Sequence, residues 1–274
     1  MVYHNIKMND LNLNKQIQSL WIGGNLSKVE RLCIQSFLDH GHEFHLYAYE
    51  DIGNVPKGAT ILDARSIMPE ESIFRYKEGW GKGSVSGFAD VFRLLMVQKN
   101  GGWWVDMDII CLKTFDFKPE TIFCTSTEGE YGSIPNNCVF KLPKDSLFIE
   151  SCLADIRKID LNTMSFGKAG PFLFQKKIKE LNLQEHAMSY EHFNPISWKN
   201  VGELILGKMS RKDKIKEILR PLIKPDTMVG RKITSNSYTL HLWNEVWNTK
   251  GFDKNETYHK DSLLEKLKRK HNIF

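Results

Sequence analysis

Apolar and polar positions along this chain switch repeatedly between a strand-like and a helix-like period. IQSLWIGG (17–24) reads as a strand ending in a double-glycine turn. SKVERLCIQSFLDHG (27–41) takes up a helical period, with Ser27 as N-cap, Glu30 completing a capping box and Gly41 as the stop. EFHLYAYE (43–50) returns to alternation and breaks over residues 51–58. Strand, helix, strand at this spacing opens a parallel α/β sheet. A loop-rich stretch, YKEGWGKGSVSG (76–87), precedes a helix over FADVFRLLMVQKN (88–100), which places Phe88, Val91, Phe92, Leu95 and Met96 on one face. After Gly101-Gly102, WWVDMDIICL (103–112) reads as a single, central strand.

The alternation continues in TIFCTST (121–127) and NCVFKL (137–142), and two helices come next, SLFIESCLADIRKI (146–159) and KAGPFLFQKKIKEL (168–181). Pro171 suits a first helical turn. A basic helix near 208–224, a strand at SYTLHLW (237–243) and a basic terminal helix near 261–270 complete the chain. No repeat or low-complexity linker divides it, so one α/β domain over 1–274 is expected.

Composition adds a large core and an uneven charge. Of 274 residues, 41% are apolar and 11% aromatic. The net charge is +5, yet residues 200–274 hold 16 Lys and Arg against 9 Asp and Glu, and the preceding residues 22 against 24. Such a basic end suits an anionic membrane surface or nucleic acid, or it is a solvated helical face. No RNP, helix-turn-helix or Cys/His finger pattern is present, so nucleic acid is not the expected partner. Cys33, Cys111, Cys124, Cys138 and Cys152 form no C-x-x-C pair and read as reduced core residues. MVYHNIKMNDLNLNKQ has no apolar h-region, and no run approaches the length of a membrane span. The expected location is cytoplasmic, with any contact to the plasma membrane made peripherally at its inner face.

Within GGWWVDMDIICLK (101–113), Asp106 and Asp108 interrupt an apolar run. In a strand they share one side, with Met107 on the other. A buried unpaired carboxylate is costly, so either a cation sits between them or they are exposed edge residues or caps. Two oxygen donors at this spacing suit Mg2+ or Mn2+ bridging a phosphate. Upstream, Asp90 and Arg93 share a helix face, as an ion pair or as a grip on sugar hydroxyls.

FADVFRLLMVQKNGGWWVDMD resembles the core block of the D-x-D sugar-binding glycosyltransferases, glycosyltransferase family 32, whose layout recurs in the large glucosylating cytotoxins. LWIGG (20–24), AGPFLF (169–174) and HLWNEVW (241–247) resemble further blocks in the same order, with Ala169 where a threonine is usual and Trp103 where an aliphatic is usual. The resemblance spans about residues 17–250. It implies a GT-A fold: a mostly parallel sheet flanked by helices, with a nucleotide-sugar half (17–127), an acceptor half carrying a donor-site loop (128–250) and a basic helix (251–274). It implies a nucleotide-sugar donor, a uridine diphosphate sugar by analogy, and a divalent metal on Asp106, Asp108 and His241. It further implies that Trp21, Ile22 and Gly23 bind the donor, with Trp21 stacked on the base, and that Asp90 and Arg93 hold the sugar. Trp243 or Trp247 would donate an indole N–H to the diphosphate.

Retention of anomeric configuration is implied too. No carboxylate stands out in sequence as a nucleophile, so a same-face substitution is expected. The basic segments 207–224 and 266–274 suit a lipid-linked saccharide acceptor, as in capsule, O-antigen or lipooligosaccharide synthesis. An effector that glycosylates a host protein would share every donor-side residue. A basic nucleic-acid-binding protein would leave the D-x-D block unexplained, and a two-metal phosphohydrolase lacks a second carboxylate/His cluster. The glycine-containing loop 76–87 is either a lid or a plain connection.

Overall fold

The computed structural model describes residues 14–127, 133–161 and 163–274, so most of the amino-terminal stretch read above as lacking an h-region lies outside the described residues. Six strands form the main sheet: β1 (Gln16–Trp21), β2 (Glu43–Ala48), β3 (Thr60–Asp63), β4 (Gly102–Val105), β6 (Ile122–Thr127) and β7 (Ser133–Leu142). Their spatial order is β3-β2-β1-β4-β7-β6, parallel from β3 to β4 and antiparallel at β4–β7–β6. β5 (Ile109–Cys111) and β8 (Thr239–His241) form a separate antiparallel pair.

Alternation in β4 sends Trp104 to one face and Trp103 to the other, and both are fully buried. On the Trp104 face lie α2 (Ser86–Asn100), α3 (Leu147–Ile156) and α4 (Pro171–Glu180), contributing Phe92, Phe148 and Phe174 to the core. On the Trp103 face, α1 (Lys28–Asp39) contributes Ile34 and Phe37. This is the mixed α/β sheet flanked by helices that the sequence implies. The other helices are α5 (Tyr190–Phe193), α6 (Arg211–Ile223), α7 (Asn244–Lys250) and α8 (Leu263–Lys270), with a π turn at Val201–Ile205. The Ser27–Glu30 capping box is present, and all five cysteines are free and buried. Among the described residues, no helix is long and apolar enough to cross a membrane.

One expectation is corrected. Residues 103–112 are not a single strand. β4 ends at Val105, Asp106 accepts at its carbonyl from Ile109 N–H (3.1 Å), and the chain turns out of the main sheet into β5. Asp106 and Asp108 therefore sit on a turn, not at alternate positions of a strand.

Candidate metal and donor site

The turn stands at the carboxyl end of β4, where open α/β sheets place their ligands. Pairing of β5 with β8 sets Ile109 opposite His241, which brings His241 beside Asp108. His241 Nε2 lies 3.2 Å from Asp108 Oδ2, and the same oxygen accepts from Asn244 N–H at 2.7 Å. One ligand atom each from Asp106, Asp108 and His241 lies within 4.8 Å of the others.

The imidazole is oriented from behind. Asn194 donates through Nδ2 to Thr125 O (2.8 Å), which leaves its Oδ1 to accept from His241 Nδ1 (2.9 Å). With Asn194 Oδ1 as its acceptor, Nδ1 carries a ring proton, and Nε2 is the nitrogen turned to the carboxylates. Nε2 donates to Asp108 Oδ2 when it carries a proton and presents a lone pair, as a metal-ligating histidine requires, when it does not. Trp243 stacks on the ring with centroids 3.9 Å apart. Its backbone is left-handed (φ 58°), a conformation costing about 1–3 kcal/mol that clusters at functional sites.

Arg93 neutralises the other end. Its guanidinium reaches Asp106 Oδ1 (2.9 Å), Asp90 Oδ1 (3.2 Å) and the carbonyls of Asn137 (2.7 Å) and Ala89 (3.1 Å), and lies over Trp104. Trp104 Nε1 donates to Asp106 Oδ1 (2.8 Å), and Asn137 Nδ2 to Asp90 Oδ1 (2.7 Å). The Asp90–Arg93 pair is thus a buried network, not an exposed helical ion pair.

Burial pushes the Asp106 carboxyl up to about 6 despite Arg93, with Asp108 adding repulsion. Burial also raises Asp90 against the pull of Arg93. At Asp108 burial is outweighed by His241 and the Asn244 N–H, and its carboxyl lies below the ordinary range. Two adjacent carboxyls held at different acidities, with an imidazole nitrogen turned toward them, form a donor set suited to Mn2+ or Mg2+. The side-chain oxygen of Asn244 is also buried without a hydrogen-bond partner among the described residues.

Trp21, Ile22 and Gly23 leave β1 at the same edge of the sheet, since β1 runs parallel to β4. Trp21 is half-buried and donates its indole N–H to Gly24 O (3.0 Å). Gly23 has φ 137°, which favours glycine. Of the later tryptophans, Trp243 Nε1 donates to Ile196 O (2.9 Å) and Trp247 Nε1 to Leu242 O (2.7 Å). Trp247 is core. Loop 76–87 is closed on itself by Gly83 N–H to Tyr76 O (2.8 Å) and Tyr76 N–H to Ser84 O (3.1 Å).

Three participants have weak sequence signals. Asn137 is polar within an apolar strand, Asn194 has no local signature, and Gly170 reads only as part of a helix start. A Cβ on Gly170 would lie 2.3 Å from Asp90 Oδ2, so glycine is what admits that carboxylate.

Comparison with known proteins agrees with this chemistry. Residues 27–125 match the glycosyltransferase sugar-binding region containing the DXD motif, and residues 141–272 match the alpha 1,4-glycosyltransferase conserved region. No curated protein matches the chain. Among solved structures, the glycosyltransferase GlyE of Streptococcus pneumoniae TIGR4 is 14% identical, over 95% of this chain and 60% of that one, with a TM-score of 0.46. The PaToxG glycosyltransferase is 19% identical over 66% and 81%, with a TM-score of 0.43. The UDP-bound glycosyltransferase domain of the YGT toxin is 9% identical over 64% and 79%, with a TM-score of 0.44. By its two matched regions the chain is a glycosyltransferase with a DXD sugar-binding region.

Proposed function

We propose that this DXD glycosyltransferase has a GT-A fold and moves a hexosyl or N-acetylhexosaminyl group from a uridine diphosphate sugar to a saccharide acceptor, with Mn2+ or Mg2+ and with retention. The observation that carries the reading is the convergence of Asp106, Asp108 and His241 at the carboxyl end of β4, joined through Asp106 to the Arg93–Asp90 pair. A divalent ion held there supplies Lewis-acid stabilisation of the departing diphosphate.

The chain's own residues divide the remaining work. Asp106 and Asp108 present oxygens, and Asn194 keeps His241 Nε2 available as a nitrogen donor. Arg93 fixes Asp106 and Asp90 together, so the site is rigid before substrate arrives and little reorganisation is needed as charge develops. Asp90 keeps one oxygen, Oδ2, out of its pairings with Arg93 and Asn137, available to a sugar hydroxyl. The alpha 1,4 description of the matched region fits retention if the donor sugar is itself α-linked. A lipid-linked acceptor in bacterial surface-polysaccharide synthesis fits the basic surplus of residues 200–274.

The test is thermal stability with Mn2+ and a panel of nucleoside diphosphates, for wild type and Asp108→Asn. A metal-dependent shift with uridine diphosphate that the variant loses supports the reading. Absence of a shift with every nucleotide overturns it.

A further inference from the structure

An amphipathic helix on a globular protein normally turns its apolar stripe inward. α6 does the opposite. At 100° per residue, Ile215, Ile218, Leu219, Leu222 and Ile223 fall on one arc, and all five are exposed, Ile218 at 75% and Leu222 at 83%. None of the helix is buried. It is fastened to the body by its polar side: Glu217 accepts from Arg231 at 2.8 Å, Arg231 also reaches Glu203, and Arg220, paired within the helix to Glu217, reaches Thr227. Lys212 stands at the amino-terminal end of the apolar arc, Lys216 borders it on one side and Lys214 on the other.

We infer that α6 is a membrane-docking helix that seats its apolar arc in the interface of an anionic lipid bilayer. Over residues 207–224 the chain carries seven Lys and Arg against two Asp and Glu. A second copy of the same face would bring like charge against like, so self-association does not cover it. The aliphatic side chains are open to solvent, and none of them is among the residues packed against the hydrophobic core clusters. Lysines beside them have stems long enough to put their charge at headgroup level while the apolar arc lies beneath. The fastening also ties the surface to the site. Arg231 pairs in backbone with Ile196, and Ile196 O accepts the indole N–H of Trp243, the residue stacked on His241. Docking is independent of which sugar is transferred, because its readout is binding alone.

The experiment is flotation of the full chain with phosphatidylcholine vesicles, with and without phosphatidylglycerol, for wild type, Ile218→Asp/Leu222→Asp and Lys212→Glu/Lys216→Glu. These side chains are exposed, so unchanged melting temperatures verify folding. Wild type floats only with phosphatidylglycerol vesicles. The aspartate pair abolishes flotation, and the charge reversal weakens partitioning by roughly tenfold or more, consistent with the worth of each basic residue at an anionic surface. The docking inference is overturned by failure of wild type to float, or by equal flotation of the aspartate pair. It is overturned equally if, without flotation, sedimentation shows a dimer that the aspartate pair dissociates. Since uridine diphosphate binding is measured separately, loss of one result leaves the other standing.

Discussion

His241 Nε2 and Asp108 Oδ2 meet at 3.2 Å although 133 residues separate them in sequence. The contact arises from β5–β8 pairing, which sets Ile109 against His241, and from Asn194, which turns the imidazole. The candidate site assembled this way draws its three possible ligands from the turn before β5 and from β8, and its orienting group from a third segment.

Replacing Asp108 by Asn keeps the side chain's size and removes its charge. Metal-dependent hydrolysis or transfer of the nucleotide-sugar is expected to fall by roughly a hundredfold or more, since a Lewis acid supplies several kcal/mol at such a centre. Initial rates across a Mn2+ titration check this, and rates equal to wild type at all metal concentrations would contradict the assignment.

Asn194→Ala removes the acceptor for His241 Nδ1–H without touching a ligand. Metal affinity is expected to drop by about 10–100-fold, the usual effect of losing such a partner. The bond from Asn194 to Thr125 O is lost as well, so a stability loss of about 1–3 kcal/mol accompanies it. Mn2+ titration followed by electron paramagnetic resonance separates the two effects.

Gly170→Ala tests Asp90. The added methyl would meet Asp90 Oδ2 at 2.3 Å and force that carboxylate aside. Binding of the nucleotide-sugar is expected to weaken more than that of uridine diphosphate, because Asp90 is the proposed sugar contact and touches Asp106 only indirectly, through Arg93. Calorimetric titration with both ligands decides it; parallel losses would remove Asp90 from the sugar site.

Arg93→Ala leaves the buried Asp90 and the half-buried Asp106 without their cation. Breaking a buried pair by removing one partner costs about 3–5 kcal/mol. Urea unfolding in metal-free buffer should show a loss of that size. Arg93→Lys should recover little of it, since an ammonium cannot span Asp106, Asp90 and the Asn137 carbonyl together.

The pH dependence of stability has an identifiable contributor at the α3–α4 contact. Lys176 and Lys177 each reach Asp155 at 2.8 Å, and hydrogen bonds from these lysines hold its carboxyl well below the ordinary carboxylate range. A depressed folded-state value gives stability that is present above the unfolded value of about 3.9 and is lost as pH falls through the folded one. Asp155→Asn should therefore melt lower than wild type at neutral pH, with the gap closing in strong acid. A gap that is constant with pH would point to packing instead.

Much of this molecule is legible where local chemistry decides. The Ser27–Glu30 box and Pro171 mark helix starts because each satisfies or omits specific backbone N–H groups. The stretch 103–112 reads as one strand because its apolar residues continue through Asp106–Asp108, and periodicity carries no sign that the chain changes sheets there. β3 and α7 are too short to show a period. The indoles of Trp243 and Trp247 look free in sequence because their acceptors, Ile196 O and Leu242 O, are backbone groups whose position only the fold sets. Asn194 is invisible for the same reason: its partners, Thr125 and His241, are remote in sequence.

The β5–β8 pair has a temporal meaning. On a ribosome Asp106 and Asp108 emerge more than a hundred residues before His241, so a nascent chain carries two acidic side chains whose nitrogen partner has not yet been made. Closing so long a loop is entropically expensive, and contacts of that separation form late. An ion that binds all three residues favours the closed form over the open one. If the proposed ion binds there, the same centre would also clasp β8 to the turn before β5, and depletion of the metal would lower the stability of the enzyme as well as its activity.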